Sequence, residues 1–287
     1  MVTSISVVTP CLNSAPFIAR TLRSVIDQRY PELEYVVADG GSTDGSLAII
    51  DTYRGSLSQV LSEPDDGHYD ALNKGFARTS GEVMGWLNSN DVYFPWTLSI
   101  VGEIFSILPE VEWLSTTLPL AVDETDRVVY SHSFPGFCVE AFRGGENMQG
   151  DPRRRTYWIQ QEATFWRRSL WEKAGARLNP LVACDFELWA RFFRFARLYG
   201  VAIPLAGFRL HGGQRSVALG QRYAEEAMAA FLREGGEVPS DGELRRLALG
   251  RRFLPQRWQV ALGICRPRPI VVYAPDHGGW QVEHRYA

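Results

Sequence analysis

Four clusters of oxygen-bearing side chains follow short apolar runs in the first hundred residues. They are Thr9-Pro10-Cys11-Leu12-Asn13, Asp39-Gly40-Gly41-Ser42-Thr43-Asp44, Ser62-Glu63-Pro64-Asp65-Asp66-Gly67 and Asn88-Ser89-Asn90-Asp91. A hard divalent cation takes oxygen ligands, often only one or two protein carboxylates, and completes its shell with water and a ligand's phosphates. Asp91, assisted by the Asn side chains beside it, has that chemistry, although a plain Asx turn would use the same residues. The glycines after Asp39 permit a tight turn and a close backbone approach, and a carboxylate at a strand end can accept from a ring N–H. The same run also suits a βα turn capped by Ser42 or Asp44. Its spacing is not GxGxxG, so a dinucleotide fold is not supported.

Further along, Asp185 opens an apolar segment with Glu187 two residues on. Positions i and i+2 diverge around a helix, so the two carboxylates do not form a close pair, and Asp185 can act as a lone general base. Asp is also a preferred N-cap, and amide bonds to a cap would weaken it as a base. His211, in Phe208-Arg209-Leu210-His211-Gly212-Gly213-Gln214-Arg215-Ser216, offers an imidazole for a metal or a phosphate. The aromatic stretch Trp158, Phe165, Trp166, Trp171 suits either a sugar face or a core.

The elements that must position these groups read as βαβαβαβ. Strands are expected at Ile5–Thr9, Glu34–Ala38, Ser58–Leu61 and Val83–Leu87. Helices are expected at Pro16–Gln28, Ser46–Tyr53 and Tyr69–Arg78. That rhythm predicts an α/β fold with a mostly parallel central sheet flanked by helices, and ligands in such sheets bind beyond the carboxyl ends of the strands. All four polar clusters stand at those ends. From Thr116 to Trp158, with Asp151-Pro152-Arg153-Arg154-Arg155 inside, periodicity fades and a functional loop is expected. A short helix at Ser169–Ala174 and a longer one at Asp185–Tyr199 follow, and then a helical, finally irregular tail. The expected division is a domain over 1–217, with the strand-and-helix rhythm in about 1–110 and the less regular part in about 111–217. An extension over 218–287 follows it. Its arginines, Arg245, Arg246, Arg251, Arg252, Arg257, Arg266 and Arg268, read as a solvated face that an anionic membrane would attract.

A chain of 287 residues with 45% hydrophobic and 22% charged content can bury a sizeable core. Its net charge of −3 gives no electrostatic case for binding nucleic acid. The four cysteines form no CxxC pair and read as buried thiols in a reducing compartment. No signal-peptide pattern and no membrane-spanning run is present, so the expected location is the cytoplasm, with peripheral contact at the inner face of the membrane.

Seven segments, in order, carry a resemblance: ISVVTPCLN, VVADGGSTDGS, SEPDDGHYDALNKGF, SGEVMGWLNSND, IQQEATFWRRSLWEKAG, DFELWARF and FRLHGGQRS. Over residues 3 to 217 the chain resembles family 2 glycosyltransferases with the GT-A fold, of the bacterial non-processive kind that build surface polysaccharides. The resemblance implies inverting transfer from a nucleotide-diphosphate-sugar, typically a UDP-sugar, to a saccharide or lipid-linked acceptor, with Mn²⁺ or Mg²⁺. It implies a nucleotide-binding half at about 1–110 and an acceptor half at about 111–217, with Thr9 and Pro10 lining the nucleoside pocket and Asp39 accepting from the base. Asp66 and Asn73 would contact the nucleotide, with Lys74 near the phosphates. Asp91, with Asn90 and His211, would hold the metal. Asp185 would deprotonate the acceptor hydroxyl, and Glu162 and Trp166 would face the acceptor.

Two positions depart from the family pattern. Asn90 stands where Asp is usual, which makes the site less negative by one charge and should weaken metal binding, and Cys184 stands where relatives often carry Glu. The first departure motivates a rival reading, a degenerate relative that binds a nucleotide or glycan without turnover. A sugar nucleotidyltransferase is a further rival, but Pro10-Cys11-Leu12-Asn13 lacks the glycine-rich basic loop usual after the first strand of that class.

Overall fold

The β-branched runs of the first ninety residues become β1 (Ile5–Cys11), β2 (Leu33–Asp39), β3 (Gln59–Ser62) and β4 (Val83–Trp86). Between them lie α1 (Ile18–Ile26), α2 (Ser46–Thr52) and α3 (His68–Phe76). A computed structural model describes residues 2–148, 157–214 and 219–287. All seven residues of β1 are buried, because helices cover both faces of a parallel sheet. Val7 and Val8 therefore enter two different apolar clusters, one on each side. Helix α1 joins the cluster of Val7 with Ile18, Leu22 and Val25, the spacing of one helical stripe.

Beyond β4 follow β5 (Val92–Tyr93), α4 (Thr97–Ile107), β6 (Trp113–Thr116), β7 (Leu120–Val122), β8 (Val128–Ser131), α5 (Val139–Arg143), β9 (Thr164–Arg167) and α6 (Arg168–Lys173). Then come α7 (Cys184–Phe192), β10 (Leu198–Val201), β11 (Ala206–Arg209), α8 (Gly220–Arg233), α9 (Asp241–Phe253), α10 (Gln256–Ala261), β12 (Pro267–Ala274) and β13 (Gly279–Tyr286). Among the described residues the central sheet has the order β13-β12-β10-β6-β9-β4-β1-β2-β3, and a smaller one the order β5-β11-β7-β8. Strands β1, β2, β3 and β4 pair in parallel, as do β6, β10 and β12, while β9 runs antiparallel between the two groups. This is the mixed, mostly parallel sheet of a GT-A fold.

Three expectations are corrected. The helix expected over Asp185–Tyr199 ends at Phe192, because Leu198–Val201 is taken by strand pairing to β6 and β12. The stretch 116–158 contains β7, β8 and α5, elements of three to five residues that are too short to show a period. Its Asp151–Arg155 run lies outside the described residues. The tail ends as a hairpin on the sheet edge, and Arg268, expected in solvent, is buried against Glu146 (2.7 and 2.9 Å) and the Gly136 carbonyl (2.7 Å). All four cysteines are buried, and no disulfide links them.

Glu34 fastens the entry to the site-bearing strands. Its carboxylate accepts from the Ser6 and Ser80 hydroxyls (2.7 and 2.6 Å) and from the Ser80 and Gly81 amides (2.7 and 2.8 Å). Burial pushes its pKa up, but these four bonds outweigh burial and hold it at about 2. Because the folded value is depressed, its stabilisation is whole above 4.5, the ordinary value, and is lost as pH falls toward 2. Glu34→Gln should therefore cost about 1–2 kcal/mol at neutral pH. In urea titrations the gap to wild type should close as pH falls through that window; a pH-independent gap would contradict this account.

Candidate active site

Register brings three of the expected strand ends level: Cys11 pairs with Asp39, and Asp39 with Ser62. Polar bonds then knit the rim. The Asn13 amide donates to Ser42 Oγ (2.9 Å), and Asn13 Oδ1 accepts from the Thr43 amide (2.9 Å). The Ala15 amide donates to Asp44 (2.9 Å), and the hydroxyls of Ser14 and Ser89 meet at 2.6 Å. Helix α2 can start here because Gly45 takes φ 95°, a left-handed value that favours glycine.

Asp39 is buried, and its Oδ2 accepts from the Gly41 and Ser42 amides (3.2 Å each) and from Ser62 Oγ (3.0 Å). Its Oδ1 has no partner among the described residues. A buried acceptor left open is costly unless a ligand's N–H reaches it.

Asp91 is fully buried at the other end of the rim. Oδ1 accepts from the Arg209 amide (2.8 Å) and Oδ2 from the Asn88 carboxamide (3.0 Å). Burial, partly offset by those bonds, pushes its pKa up to about 6. The Asn90 carboxamide nitrogen and His211 Nε2 lie 3.0 Å apart, and burial keeps His211 below its ordinary pKa and therefore neutral. Arg209, buried and hydrogen-bonded through Nε to the Asn90 carbonyl (2.6 Å) and through Nη2 to Asp126 (2.5 Å), locks β11 onto this turn. Among the described residues, no group of three His, Cys, Asp or Glu side chains forms a closed metal cage. One carboxylate with a carboxamide and a neutral imidazole fits instead a cation that takes most of its shell from a diphosphate and water.

Asp185 stands in the first turn of α7, with Ala183 at the cap position, so the capping role is not the one it takes. Its Oδ2 accepts from the Tyr223 hydroxyl (3.3 Å), and its Oδ1 is buried without a partner among the described residues. Burial raises its pKa, opposed by its hydrogen bonds. Helix α8 holds the turn before it: Glu226 accepts from the Val182 and Ala183 amides (2.5 and 3.1 Å). A cavity of about 20 Å³, room for one water, lies beside α7 and Tyr223, lined by Asn147, Trp158, Ile159, Phe186, Trp189 and Tyr223. Glu187 diverges from Asp185 as expected and ties Arg191 (2.9 Å), Arg233 (2.8 Å) and Asn179 (2.8 Å) together.

Glu162 is buried, accepts from the Gln160 carboxamide (2.6 Å), and has its pKa pushed well up by burial and then by the charges of Asp91 and Asp185. It thus lies within electrostatic reach of both. Trp166 is a correction: it is fully buried in a ring cluster with Phe76, Trp86, Trp171, Trp189 and Phe192 and faces no opening. Strand β9, between β4 and β6 in the middle of the sheet, is covered on both sides.

The third βα unit also differs from expectation. Asn73 spends its carboxamide on the backbone of Leu178, donating to its carbonyl (2.9 Å) and accepting from its amide (2.8 Å), and so braces the segment leading to α7. Lys74 is tied to Asp70 (3.0 Å), Glu63 (3.3 Å) and the Pro64 carbonyl (3.1 Å) within the acidic turn. Asp66 is exposed. Its neighbour Asp65 is the carboxylate turned to the β2 loop, so close that a Cβ on Gly40 would meet its Oδ2 at 2.3 Å. Thr9 is buried and bonded to the Tyr35 hydroxyl (2.9 Å), and Pro10 is buried beside it, so the rim takes its residues from the loop after β1, from Leu12 onward. Sequence reading missed the roles of Asp65, Tyr223 and Glu226, and left Trp158 open between a sugar face and a core. Only Asp65, in an acidic turn already singled out, carried a signal.

A model of the family described as glycosyl transferase family 2 matches residues 6–107. The uncharacterized glycosyltransferase RT0329 of Rickettsia typhi is 30% identical over 234 residues, 80% of this chain and 72% of the relative. The succinoglycan biosynthesis protein ExoU of Rhizobium meliloti is 26% identical over 262 residues, 84% and 72% of the two chains. Shorter matches reach 39% identity, and there the chain spans about a third (34%) of the relatives' length. Among solved structures, S. aureus TarS 1–349 in complex with UDP-GlcNAc superposes with a TM-score of 0.62 at 18% identity, covering 90% of this chain and 75% of that one. Glucosyl-3-phosphoglycerate synthase from Mycobacterium tuberculosis, in complex with Mn²⁺, UDP and phosphoglyceric acid, gives 0.54 at 17% identity, covering 99% and 87%. At these identities the two structures speak to the fold.

Proposed function

The chain belongs to glycosyl transferase family 2, and we propose that it is an inverting enzyme moving a sugar from a UDP-sugar to a hydroxyl of a saccharide or lipid-linked acceptor in surface polysaccharide assembly. The observation that carries this reading is the pair of buried carboxylate oxygens without a partner among the described residues, Asp39 Oδ1 at the end of β2 and Asp185 Oδ1 in α7. The first suits the imide N–H of a uracil. The second suits an acceptor O–H. The relative ExoU, a succinoglycan biosynthesis protein, supports the assignment to polysaccharide assembly.

In the reaction, Asp185 takes the proton of the acceptor hydroxyl as its oxygen bonds to the anomeric carbon. The bond from that carbon to the diphosphate breaks on the opposite face and UDP leaves with the electron pair, so configuration inverts. Raising the pKa of Asp185 by burial makes it a better match to a hydroxyl than a solvated carboxylate would be. Tyr223 and the Glu226-held turn fix its aim. A divalent cation, Mn²⁺ or Mg²⁺, held by Asp91 with Asn90 and His211, would neutralise the charge developing on the diphosphate.

A donor panel tests this: UDP-, GDP- and dTDP-sugars are incubated with Mn²⁺, and release of the nucleotide diphosphate is followed. Slow hydrolysis of a UDP-sugar is expected, while binding with no turnover of any donor would favour the degenerate-relative reading that Asn90 raises. Restoring the carboxylate in Asn90→Asp should tighten Mn²⁺ binding by about tenfold, roughly 1.4 kcal/mol. Titration calorimetry with Mn²⁺ and UDP checks it, and an unchanged affinity would remove Asn90 from the metal's surroundings.

A further inference from the structure

Between Leu244 and Leu262 the chain carries five arginines (Arg245, Arg246, Arg251, Arg252, Arg257) and no acidic residue, in a protein whose net charge is −3. The same stretch exposes large apolar side chains: Leu249 at 59%, Phe253 at 68%, Trp258 at 52% and Leu262 at 64%. Neither set is accidental spillover from a loose helix. The inner side of α9 packs through Leu244, Leu247 and the buried Gly250, where a Cβ would meet Ile264 at 2.4 Å. A capping box of Ser240 and Glu243 starts the helix, and Gln259 of α10 donates to the Arg251 and Leu254 carbonyls (3.1 and 2.7 Å), locking the two helices together.

With that side turned in, Arg245, Leu249, Arg252 and Phe253, spaced i, i+4, i+7 and i+8, share the outer face of α9. The Arg252 guanidinium stands 5.3 Å from the Phe253 ring, and that of Arg257 6.0 Å from the Trp258 ring. Apolar and aromatic tips among arginines match the boundary of a bilayer, where the rings enter the headgroup layer and the guanidinium groups meet lipid phosphates. A second copy of the chain is disfavoured, since an isologous contact would bring Arg245, Arg252 and Arg257 of the two copies together, with Asp241, one turn before Arg245, the one carboxylate on that face of α9.

We propose that the outer face of α9 and α10 docks this protein on an anionic lipid bilayer, independently of the sugar-transfer reading. The test is flotation of the whole protein with vesicles of phosphatidylcholine alone and of phosphatidylcholine with a third phosphatidylglycerol. Binding to the second and little to the first is expected, weakening as salt is raised. Arg245→Glu, Arg252→Glu and Arg257→Glu should each reduce binding by about fivefold or more, and Phe253→Ser with Trp258→Ser should remove most of it. These positions are exposed, so thermal melting should be unchanged, and the arginine and the aromatic variants check each other. No binding to the anionic vesicles, or binding that neither set of variants reduces, would overturn the proposal. So would a dimer in light scattering that the same substitutions dissociate, since the face would then be a contact between copies.

Discussion

Asp185→Asn is expected to lower sugar transfer by about 10²–10⁴-fold, the range for removing a general base, while leaving UDP binding and the fold intact. The substitution keeps the shape that accepts from Tyr223 and removes only the capacity to take a proton. The carboxyl's folded pKa is raised by burial, so its ionised form costs stability at neutral pH. Any stability the group contributes is present below the ordinary value and lost as pH rises through the folded one. Asn should therefore be neutral to stabilising at pH 7. With Mn²⁺ saturating, so that Asp91 stays ionised, wild-type activity should fall on acidification as Asp185 is protonated, and the variant's residual rate should lack that limb. Initial rates of UDP release against pH, together with melting curves, test both halves. A variant within tenfold of wild type would move the base elsewhere, with Glu162 the next candidate.

Asp91→Ala should abolish the stabilisation that UDP with Mn²⁺ confers. At a hundredfold excess over Kd, ligand adds about 2.7 kcal/mol, which for a chain of this size raises Tm by roughly 4–5 °C. The apo variant should itself lose about 1–3 kcal/mol, because the Arg209 amide and the Asn88 carboxamide are left without their acceptor. The pH dependence has a defined sign. With the Asp91 carboxyl pushed up to about 6 from 3.8, its protonated form stabilises the fold fully below 3.8, and that contribution fades as pH rises through 6. A cation needs the ionised form, so the Mn²⁺-dependent shift in Tm should grow over the same interval. Differential scanning fluorimetry from pH 5 to 8 reads this directly; a variant that keeps the full shift would show that Asp91 does not hold the ion.

The first four strands and three helices were legible because their apolar periods are local and their ends are marked by Gly, Asn and Asp. Short elements such as β7, β8 and α5 were not, since three to five residues cannot display a period against an irregular background. The hairpin β12–β13 was missed for a different reason: it is stabilised by pairing to β10, a partner some seventy residues away. Trp166 shows the same limit in the site. Its type suits a sugar face, but burial between β4 and β6 is a property of sheet order, which no local pattern encodes.

By itself the sequence determined the family, the α/β rhythm and the chemistry at the strand ends, because residue type and strand-end spacing are enough to say what a group can do. Tertiary structure decided which of those groups are still available to do it. Asn73 and Lys74 are consumed by Leu178 and by the acidic turn, Trp166 by the core, and Arg268 by Glu146, whereas Asp39 and Asp185 each keep one buried oxygen without a partner among the described residues. The physical reason is that a polar group's function depends on whether its hydrogen-bonding capacity is already spent. That is settled by neighbours brought in from far along the chain, as His211 is brought to Asn90 (a separation of 121).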